Sequence, residues 1–336
     1  MHNRKGEGKT FMAKYKVVLT KETWPAAMER IEQHCEVKVW KEAEPIPRAL
    51  LLEWLEDAEG LFSTGDVQVN DDLLANAPQL RVVAQSSVGY DNVDIDACTR
   101  NGIPFGNTPG VLVETTADLT FALLLSAARR IHEGWEIVKS GKWASNSNIP
   151  YGVDLYGKTL GIVGMGDIGC AVARRAKACG LNIIYYNRTR RTDDQLLEAR
   201  YVDFRDLLQE SDFIITLVPL SKHSRGMFGA EEFAQMKPSA YFINAARGSI
   251  VNTEALYEAL KSKQIAYAAL DVTDPEPIAG DHPLLSLPNI LITPHVGSAT
   301  YETRNRMAHL AVDNLLAGLD RQPLPTCVNP TVNYLK

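Results

Sequence analysis

The stretch 159-TLGIVGMGDIGCAVARRAKACGLNIIYYNR-188 decides how this sequence folds. It opens with a short β-rich run, turns at three closely spaced glycines, and continues as an alanine-rich segment up to Cys179. A second β-rich run follows at residues 183–186. Strand, turn, helix and strand therefore follow one another within about thirty residues, which is the order of a βαβ unit in a parallel sheet.

The glycine-rich turn indicates a phosphate site. Gly164 permits a tight turn, Gly166 lets a pyrophosphate approach the backbone, and Gly169 lets the helix pack closely on the sheet. The free N–H groups and the partial positive charge of the following helix start attract phosphate. The sequence therefore predicts a dinucleotide site whose turn is formed by Gly164, Met165, Gly166, Asp167, Ile168 and Gly169.

Composition excludes several classes of protein. The chain has 336 residues, of which 45% are hydrophobic and 23% charged, with a net charge of -6. This argues against disorder and against a nucleic-acid surface, and no apolar stretch approaches the ~20 residues of a membrane span. The five scattered cysteines predict reduced thiols in a cytoplasmic protein and no metal site. Residues 1–11 are predicted to be a tag or a disordered tail before Met12.

Short strands alternate with helices along the chain, which is typical of an α/β fold with parallel sheets. Two series of strands are predicted: 16–19, 37–40, 60–62, 81–84 and 104–106, then 159–163, 183–186, 213–217, 241–244, 266–270 and 290–292. Long helices are predicted at 113–139 and 300–319. We therefore expect two doubly wound domains with a cleft between them. A discontinuous flavodoxin-like substrate domain would comprise 12–111 and 299–336, and an inserted Rossmann dinucleotide-binding domain would comprise 112–298.

The end of the second strand of the βαβ unit bears on the choice of cofactor. NAD-binding folds usually carry an acidic residue there, but this sequence has Asn187, followed by Arg188 and Thr189. Arg190 and Arg191 add two further guanidinium groups. The segment predicts NADPH as the preferred cofactor with NADH possible, and the alternative is a solvated basic loop.

Three further segments follow predicted strands, at the edge where such sheets bind ligands. They contain Arg247 in Asn244–Gly248, Glu276 in 270–277, and His295 in 293–298. Taken singly, each has an ordinary structural explanation: a loop anchor, a surface charge or a structural histidine. Together, at successive strand ends, they form a candidate catalytic set.

With these motifs the sequence resembles the D-2-hydroxyacid dehydrogenases, most closely the glyoxylate/hydroxypyruvate and 2-ketogluconate reductase branch. The resemblance extends over residues 12–333 and rests on segments 87–92, 164–169, 244–248 and 295–300. It implies that Arg247, Glu276 and His295 are catalytic, and that Val88, Gly89 and Arg247 bind the substrate. It also implies a homodimer built on the cofactor domains. The further cofactor contacts that it implies are Val218, Pro219, Ala245, Ala246, Arg247, Asp271 (to the nicotinamide carboxamide), His295 and Gly297.

The chemistry of 2-keto acid reduction suits these residue types. Negative charge develops on the carbonyl oxygen as hydride arrives, so a proton donor with a pKa near neutrality is needed, and histidine has a reference value of ~6.5. His295 would be that general acid, and Glu276 would orient it and stabilise the imidazolium. Arg247 would hold the substrate carboxylate with forked donors.

Alternatives remain at this point. Relatives that oxidise formate pair their histidine with glutamine, so Glu276 speaks against that branch. NAD-dependent D-3-phosphoglycerate dehydrogenases share the Arg, Glu and His, and corepressor-like dinucleotide sensors can retain them. In the hydroxypyruvate-reducing branch a second tryptophan often follows the one at Trp143 by three residues, but Asn146 stands there in this chain, which weakens the analogy for substrate.

Overall fold

A computed structural model of the chain describes residues 14–144, 149–193 and 198–333. The contacts divide the chain into two compact units: Met1–Pro109 with Arg304–Lys336, and Gly110–Thr303. The possible tag at residues 1–11 lies outside the described residues.

The first unit is a five-stranded parallel sheet in the order β2-β1-β3-β4-β5. This is the flavodoxin-like order that the sequence predicts. Its strands are β1 (Tyr15–Leu19), β2 (Cys35–Val39), β3 (Gly60–Ser63), β4 (Val82–Gln85) and β5 (Phe105–Gly106). Its helices before the second unit are α1 (Pro25–His34), α2 (Arg48–Leu55), α3 (Asp71–Ala75) and α4 (Ile95–Arg100). Apolar cores cover both faces of the sheet, so its strands consist largely of buried residues.

The second unit is a seven-stranded parallel sheet in the order β12-β11-β10-β9-β6-β7-β8. Its strands are β6 (Thr159–Val163), β7 (Asn182–Tyr186), β8 (Ala199–Tyr201), β9 (Phe213–Thr216), β10 (Tyr241–Asn244), β11 (Tyr267–Leu270) and β12 (Ile290–Ile292). Its helices are α5 (Val113–Arg129), α6 (Ile131–Lys139), α7 (Asp167–Ala178), α8 (Phe204–Glu210), α9 (Ala230–Gln235) and α10 (Thr253–Lys261). The order is that of a Rossmann sheet with one added strand, β12, and the strand order reverses between β6 and β9, beside the glycine-rich turn.

The sequence prediction of six strands in this unit missed β8. That strand has three residues, carries the exposed Arg200, and pairs only with β7 at the edge of the sheet. A short, polar edge strand lacks the buried apolar run by which the other strands were identified.

The predicted helix over 113–139 is two helices, because Arg130 adopts left-handed backbone angles with φ of 54° and ends α5. Its guanidinium lies 2.6 Å from Glu133 and 5.2 Å from the centre of the Tyr267 ring. Tyr267 lies on β11, far along the sequence, so helix periodicity does not reveal the break.

The last helix, α11 (Tyr301–Leu319), follows β12, and its residues 304–319 belong to the first unit. The sequence places the end of the inserted domain at 298, whereas the second unit extends to Thr303. Residues 299–303 stay with it partly because the Thr303 hydroxyl lies 2.6 Å from the Thr115 hydroxyl near the start of α5. The other boundary falls at 109/110, where the sequence indicates 111/112.

All five cysteines are free thiols, and three are buried: Cys35, Cys98 and Cys170. Burial raises the pKa of Cys35 and of Cys98 to about 12, which keeps both thiols protonated and unreactive. Within the described residues, no helix combines the length and hydrophobicity that a membrane crossing requires.

Gly161 in β6 allows α8 to pack directly on the sheet. A Cβ at this position would lie 2.2 Å from Ser211 Oγ and 2.8 Å from two carbon atoms of Leu207. Gly161→Ala is therefore expected to lower the free energy of unfolding by about 1–3 kcal/mol, the usual cost of overpacking a core. Gly280→Ala is the control, since nothing lies within 4 Å of a Cβ there. Urea unfolding of both variants tests this, and equal midpoints would contradict the packing argument.

Candidate active site

The glycine-rich turn has the backbone that its sequence predicts. Gly164 has φ of 102°, and a Cβ on it would lie 2.7 Å from the backbone of Leu217 and Val218. A Cβ on Gly169 would lie 2.5 Å from the carbonyl oxygen of Gly164, so the start of α7 packs against the turn. Gly166 has open space where its Cβ would stand. The turn is therefore closed towards the protein and open at the residue that precedes α7.

These features fit the phosphates of a dinucleotide. Gly166 is the N-cap of α7 and offers no capping side chain, so the first-turn amides of the helix point outward from its end. The Met165 side chain is buried in the core and Ile168 packs against it, so these two residues can meet a ligand chiefly through their backbone. Asp167 is exposed in the first turn.

At the end of β7, Asn187 braces the glycine-rich turn. Its Oδ1 accepts a hydrogen bond of 2.7 Å from the Met165 amide, and its Nδ2 donates one of 3.4 Å to the Met165 carbonyl. Arg188 and Thr189 are exposed beyond it. The guanidinium of Arg188 has no hydrogen-bond or ion-pair partner among the described residues.

Within the described part of the chain, Arg191, unlike Arg188, forms hydrogen bonds with neighbouring residues. Its Nε and one terminal nitrogen donate to the two carboxylate oxygens of Asp193 at 2.7 and 2.8 Å, and the other terminal nitrogen donates to the Met165 carbonyl at 3.0 Å. The hydrogen bond with Asp193 raises the pKa of Arg191, and the same bond lowers the pKa of Asp193. The sequence offers Arg191 as a phosphate ligand, but its donors are already used to anchor the basic segment to the glycine-rich turn.

The loop after β10 carries Arg247, and Gly248 packs it tightly on the loop after β11. A Cβ on Gly248 would lie 1.9 Å from the carbonyl oxygen of Thr273, so only glycine permits this approach. The Asn244 side chain is buried and bridges its own loop, accepting from the Ala246 amide at 3.0 Å and donating to the Arg247 carbonyl at 2.9 Å. The other residues to which the family resemblance assigns cofactor contacts at these strand ends are half-buried or exposed: Val218, Pro219, Ala245 and Ala246.

His295 and Glu276 form a hydrogen-bonded pair. His295 Nδ1 lies 2.6 Å from Glu276 Oε1, and the two side chains are 46% and 41% exposed, so both are accessible to a ligand. With Nδ1 bonded to a carboxylate, the other ring nitrogen, Nε2, is the one available for proton transfer.

The pKa of Glu276 lies below its ordinary value. Burial raises it, but the hydrogen bond and charge of His295, the Thr273 amide and the charge of Arg247 together outweigh that effect. The carboxylate therefore stays ionised beside His295 above this lowered pKa, and the pairing is lost as the pH falls through it.

The loop that carries His295 is fixed by Asp271. This side chain is 2% exposed. Its Oδ1 accepts from Thr293 Oγ1 at 2.6 Å and from the Val296 amide at 2.8 Å, and its Oδ2 accepts from the Gly297 amide at 2.8 Å. His295 itself has φ of 53°, a left-handed conformation that this loop maintains. The family resemblance assigns Asp271 to the nicotinamide carboxamide, and sequence reasoning missed this positioning role, because hydrogen bonds to backbone amides leave no trace in composition.

In the first unit, the Ser87–Gly89 loop after β4 uses all of its carbonyl oxygens internally. The Ser87 carbonyl accepts from the Thr108 amide at 2.9 Å, and the Val88 carbonyl from Asn107 Nδ2 at 2.9 Å. The Gly89 carbonyl accepts from Ser87 Oγ at 2.6 Å and from Gln85 Nε2 at 2.8 Å. In the part of the chain that is described, the amides of Val88 and Gly89 have no acceptor. The loop therefore presents hydrogen-bond donors, as a carboxylate ligand requires.

Metal ligands are not gathered anywhere in the described residues: no group of three or more His, Cys, Asp or Glu side chains is placed to hold an ion.

Comparison with known proteins identifies the family. Residues 121–297 match the model of the D-isomer specific 2-hydroxyacid dehydrogenase NAD-binding domain. A glyoxylate reductase of Korarchaeum cryptofilum is 45% identical over 322 residues, which cover 95% of this chain and 97% of that protein.

Solved structures agree with this family. A protein of Thermus thermophilus superposes with a TM-score of 0.88 at 43% identity, covering 93% of this chain and 99% of that one. An NADPH-dependent glyoxylate/hydroxypyruvate reductase of Sinorhizobium meliloti, in complex with NADP and malonate, superposes with a TM-score of 0.86 at 33% identity, covering 95% of this chain and 98% of that one. The chain therefore belongs to the D-2-hydroxyacid dehydrogenase family, in its glyoxylate/hydroxypyruvate reductase branch, and is an NAD(P)-dependent oxidoreductase of 2-keto acids.

Proposed function

We propose that this enzyme reduces a small 2-keto acid, namely glyoxylate, hydroxypyruvate or 2-ketogluconate, to the D-2-hydroxy acid with NADPH, and that His295 donates the proton. The observation that carries the proposal is the 2.6 Å contact between His295 Nδ1 and Glu276 Oε1 in the unit that holds the glycine-rich turn. Relatives at 41–45% identity are glyoxylate reductases, which supports a 2-keto acid without a phosphate group over 3-phosphoglycerate.

Each residue of the candidate site has a separate role in the proposed reduction of the keto acid. Bound NADPH would supply the hydride, and the nicotinamide contacts assigned by family resemblance to Asp271 and Gly297 would orient it. His295 gives its Nε2 proton to the oxygen on which negative charge develops. Glu276 keeps the imidazole ring oriented and stabilises its protonated form. Arg247 binds the substrate carboxylate, together with the amides of Val88 and Gly89.

Replacing either member of the pair tests the proton donor. His295→Ala is expected to lower kcat for keto acid reduction by about 10²- to 10⁴-fold. Glu276→Gln removes the counter-charge of the imidazolium, so the fall of the reduction rate with rising pH should begin at a lower pH than in the unaltered enzyme. Rate profiles from about pH 5 to 9 measure both effects. His34→Ala, at the exposed end of α1, is the control, and full activity with an unchanged profile in both site variants would refute the assignment.

The identity of the keto acid is best approached by a direct screen. NADPH oxidation should be followed with glyoxylate, hydroxypyruvate, 2-ketogluconate and pyruvate. Asn146, the departure from the hydroxypyruvate-reducing pattern, lies outside the described residues. Preferential turnover of 3-phosphoglycerate with NAD would favour the alternative instead.

The preference for NADPH is supported by the end of β7. A carboxylate at position 187 would repel a 2'-phosphate, but Asn187 is uncharged, and the exposed Arg188 can contact the phosphate. Because Arg191 is engaged by Asp193 and Met165, we assign the main attraction to Arg188.

The double variant Asn187→Asp with Arg188→Ala should reverse the cofactor preference. One charge-assisted contact contributes about 1.5–3 kcal/mol, so the unaltered enzyme should favour NADPH over NADH by roughly tenfold or more in kcat/KM. The preference should shrink as salt is added, because ions screen an exposed charge. Steady-state kinetics with both cofactors measure this, with Arg321→Ala in the first unit as the control. An unaltered enzyme that favours NADH would refute the preference.

We further propose a homodimer formed through the second unit. Helix α6 buries none of its residues, and Ile131, Trp135 and Val138 on one side of it are 56%, 59% and 49% exposed. Trp143, Tyr151 and Tyr156 nearby in sequence are also exposed. Such a concentration of apolar surface is unusual on a monomer, and a second copy would cover it.

The free thiols also suit the reducing cytoplasm in which we expect the enzyme to act.

Charges placed on α6 test the dimer. Trp135→Glu combined with Val138→Glu should halve the mass measured by light scattering, because burying unpaired carboxylates is strongly unfavourable. Leu285→Glu, at an exposed apolar residue that is not part of α6, should leave the mass unchanged. A monomeric unaltered protein, or a dimer that survives both charges, would refute the proposal.

A further inference from the structure

The side chains of Gln85 and Ser87 form hydrogen bonds with the backbone of the Ser87–Gly89 loop. We propose that Gln85 and Ser87 are positioning residues that turn this loop into a site for the substrate carboxylate. The inference rests on the proposed function, in which Val88 and Gly89 bind that carboxylate.

The orientation of the Gln85 amide is fixed by its neighbours. Gln85 ends β4 and is fully buried. Its Oε1 accepts from Asn92 Nδ2 at 2.9 Å, and Asn92 Nδ2 gives its other hydrogen to the Val67 carbonyl at 2.7 Å. Since both hydrogens of Asn92 Nδ2 are used in this way, the Gln85 oxygen must be the atom that faces Asn92 Nδ2. Gln85 Nε2 then donates to Asn92 Oδ1 at 3.2 Å and to the loop.

The Gly89 carbonyl is held by two donors. Gln85 Nε2 lies 2.8 Å from it and 2.8 Å from Ser87 Oγ, and the single hydrogen of Ser87 Oγ points to the same carbonyl at 2.6 Å. Two donors satisfy both lone pairs of that oxygen, so it cannot accept a hydrogen bond from a ligand.

Fixing this carbonyl sets the polarity of the site. If the peptide after Gly89 were free to rotate, its carbonyl could turn towards the ligand and place a partial negative charge against a carboxylate. The Ser87 and Val88 carbonyls, which share their peptides with the Val88 and Gly89 amides, are held by the Thr108 amide and by Asn107 Nδ2. With the Gly89 oxygen held as well, the ligand meets the Val88 and Gly89 amides, which donate to an anion. Gln85 and Ser87 therefore favour a carboxylate over a neutral hydroxyl at this place.

Removing the serine hydroxyl is the first test. Ser87→Ala loses one hydrogen bond to the Gly89 carbonyl, so the KM for the keto acid should rise about three- to tenfold while kcat and the KM for NADPH stay within about twofold. Ser87→Thr keeps the hydroxyl and should restore a KM close to that of the unaltered enzyme. Ser86→Ala is the matched control and should change nothing, because among the described residues Ser86 forms a hydrogen bond only through its backbone amide, which donates to the Ser63 carbonyl.

Gln85→Glu is the second test. It keeps the size of the side chain but places a carboxylate, which only accepts hydrogen bonds, against the Gly89 carbonyl. The KM for the keto acid should rise more than about tenfold, with the thermal unfolding midpoint measured alongside to show that the variant is folded.

Oxalate binding, measured by calorimetry with NADP bound, separates this inference from the proposed function because it needs no turnover. Weaker oxalate binding by Ser87→Ala than by Ser86→Ala supports the inference even if the unaltered enzyme reduces no keto acid, a result that would refute the proposed function alone. Equal oxalate affinity in the two variants, or a loss confined to kcat, would overturn the inference.

Discussion

The candidate site depends on the hydrogen bonds that the buried carboxylate of Asp271 accepts. A charge that is 2% exposed must be satisfied by hydrogen bonds, and three donors from Thr293, Val296 and Gly297 converge on it. Those donors lie on both sides of His295, so the hydrogen bonds that satisfy the buried charge also fix the position of His295. Gly297 contributes because a Cβ there would come within 3.1 Å of Oδ2.

Strand register completes the convergence. Asn244 pairs with Leu270, and Leu270 pairs with Ile292, so three neighbouring strands end level with one another. Arg247, Glu276 and His295 follow these level ends within a few residues, and Gly248 lets the first two loops touch. Gly248 therefore affects the positions of Arg247 and Glu276, although it has no side chain that could take part in a reaction.

Much of this arrangement could be predicted because it depends on local pattern. The glycine-rich turn, the buried strands and the position of Arg247, Glu276 and His295 after strand ends are all visible as short motifs. The break at Arg130 and the anchoring of Arg191 could not be predicted, since each depends on a partner that only the folded chain brings close: Tyr267 for the first and the Met165 carbonyl for the second. The three arginines of segment 188–191 look alike in sequence, and their surroundings in the folded chain make Arg188 and Arg191 different.

The loop that carries His295 and the Ser87–Gly89 loop are both fixed by side chains that bond to their backbone, but opposite backbone groups are bound in the two loops. In the loop of His295, a buried carboxylate accepts hydrogen bonds from backbone amides. In the Ser87–Gly89 loop, the buried Gln85 amide and the half-buried Ser87 hydroxyl donate to a backbone carbonyl. Each loop then presents the groups that are not used in these hydrogen bonds. These are the His295 side chain in one loop and the peptide amides of Val88 and Gly89 in the other. The groups that the two loops present are thus set by the hydrogen bonds of Asp271 in the first loop and of Gln85 and Ser87 in the second. Substitutions at such buried polar positions can therefore change which ligands bind without altering any residue of the visible site.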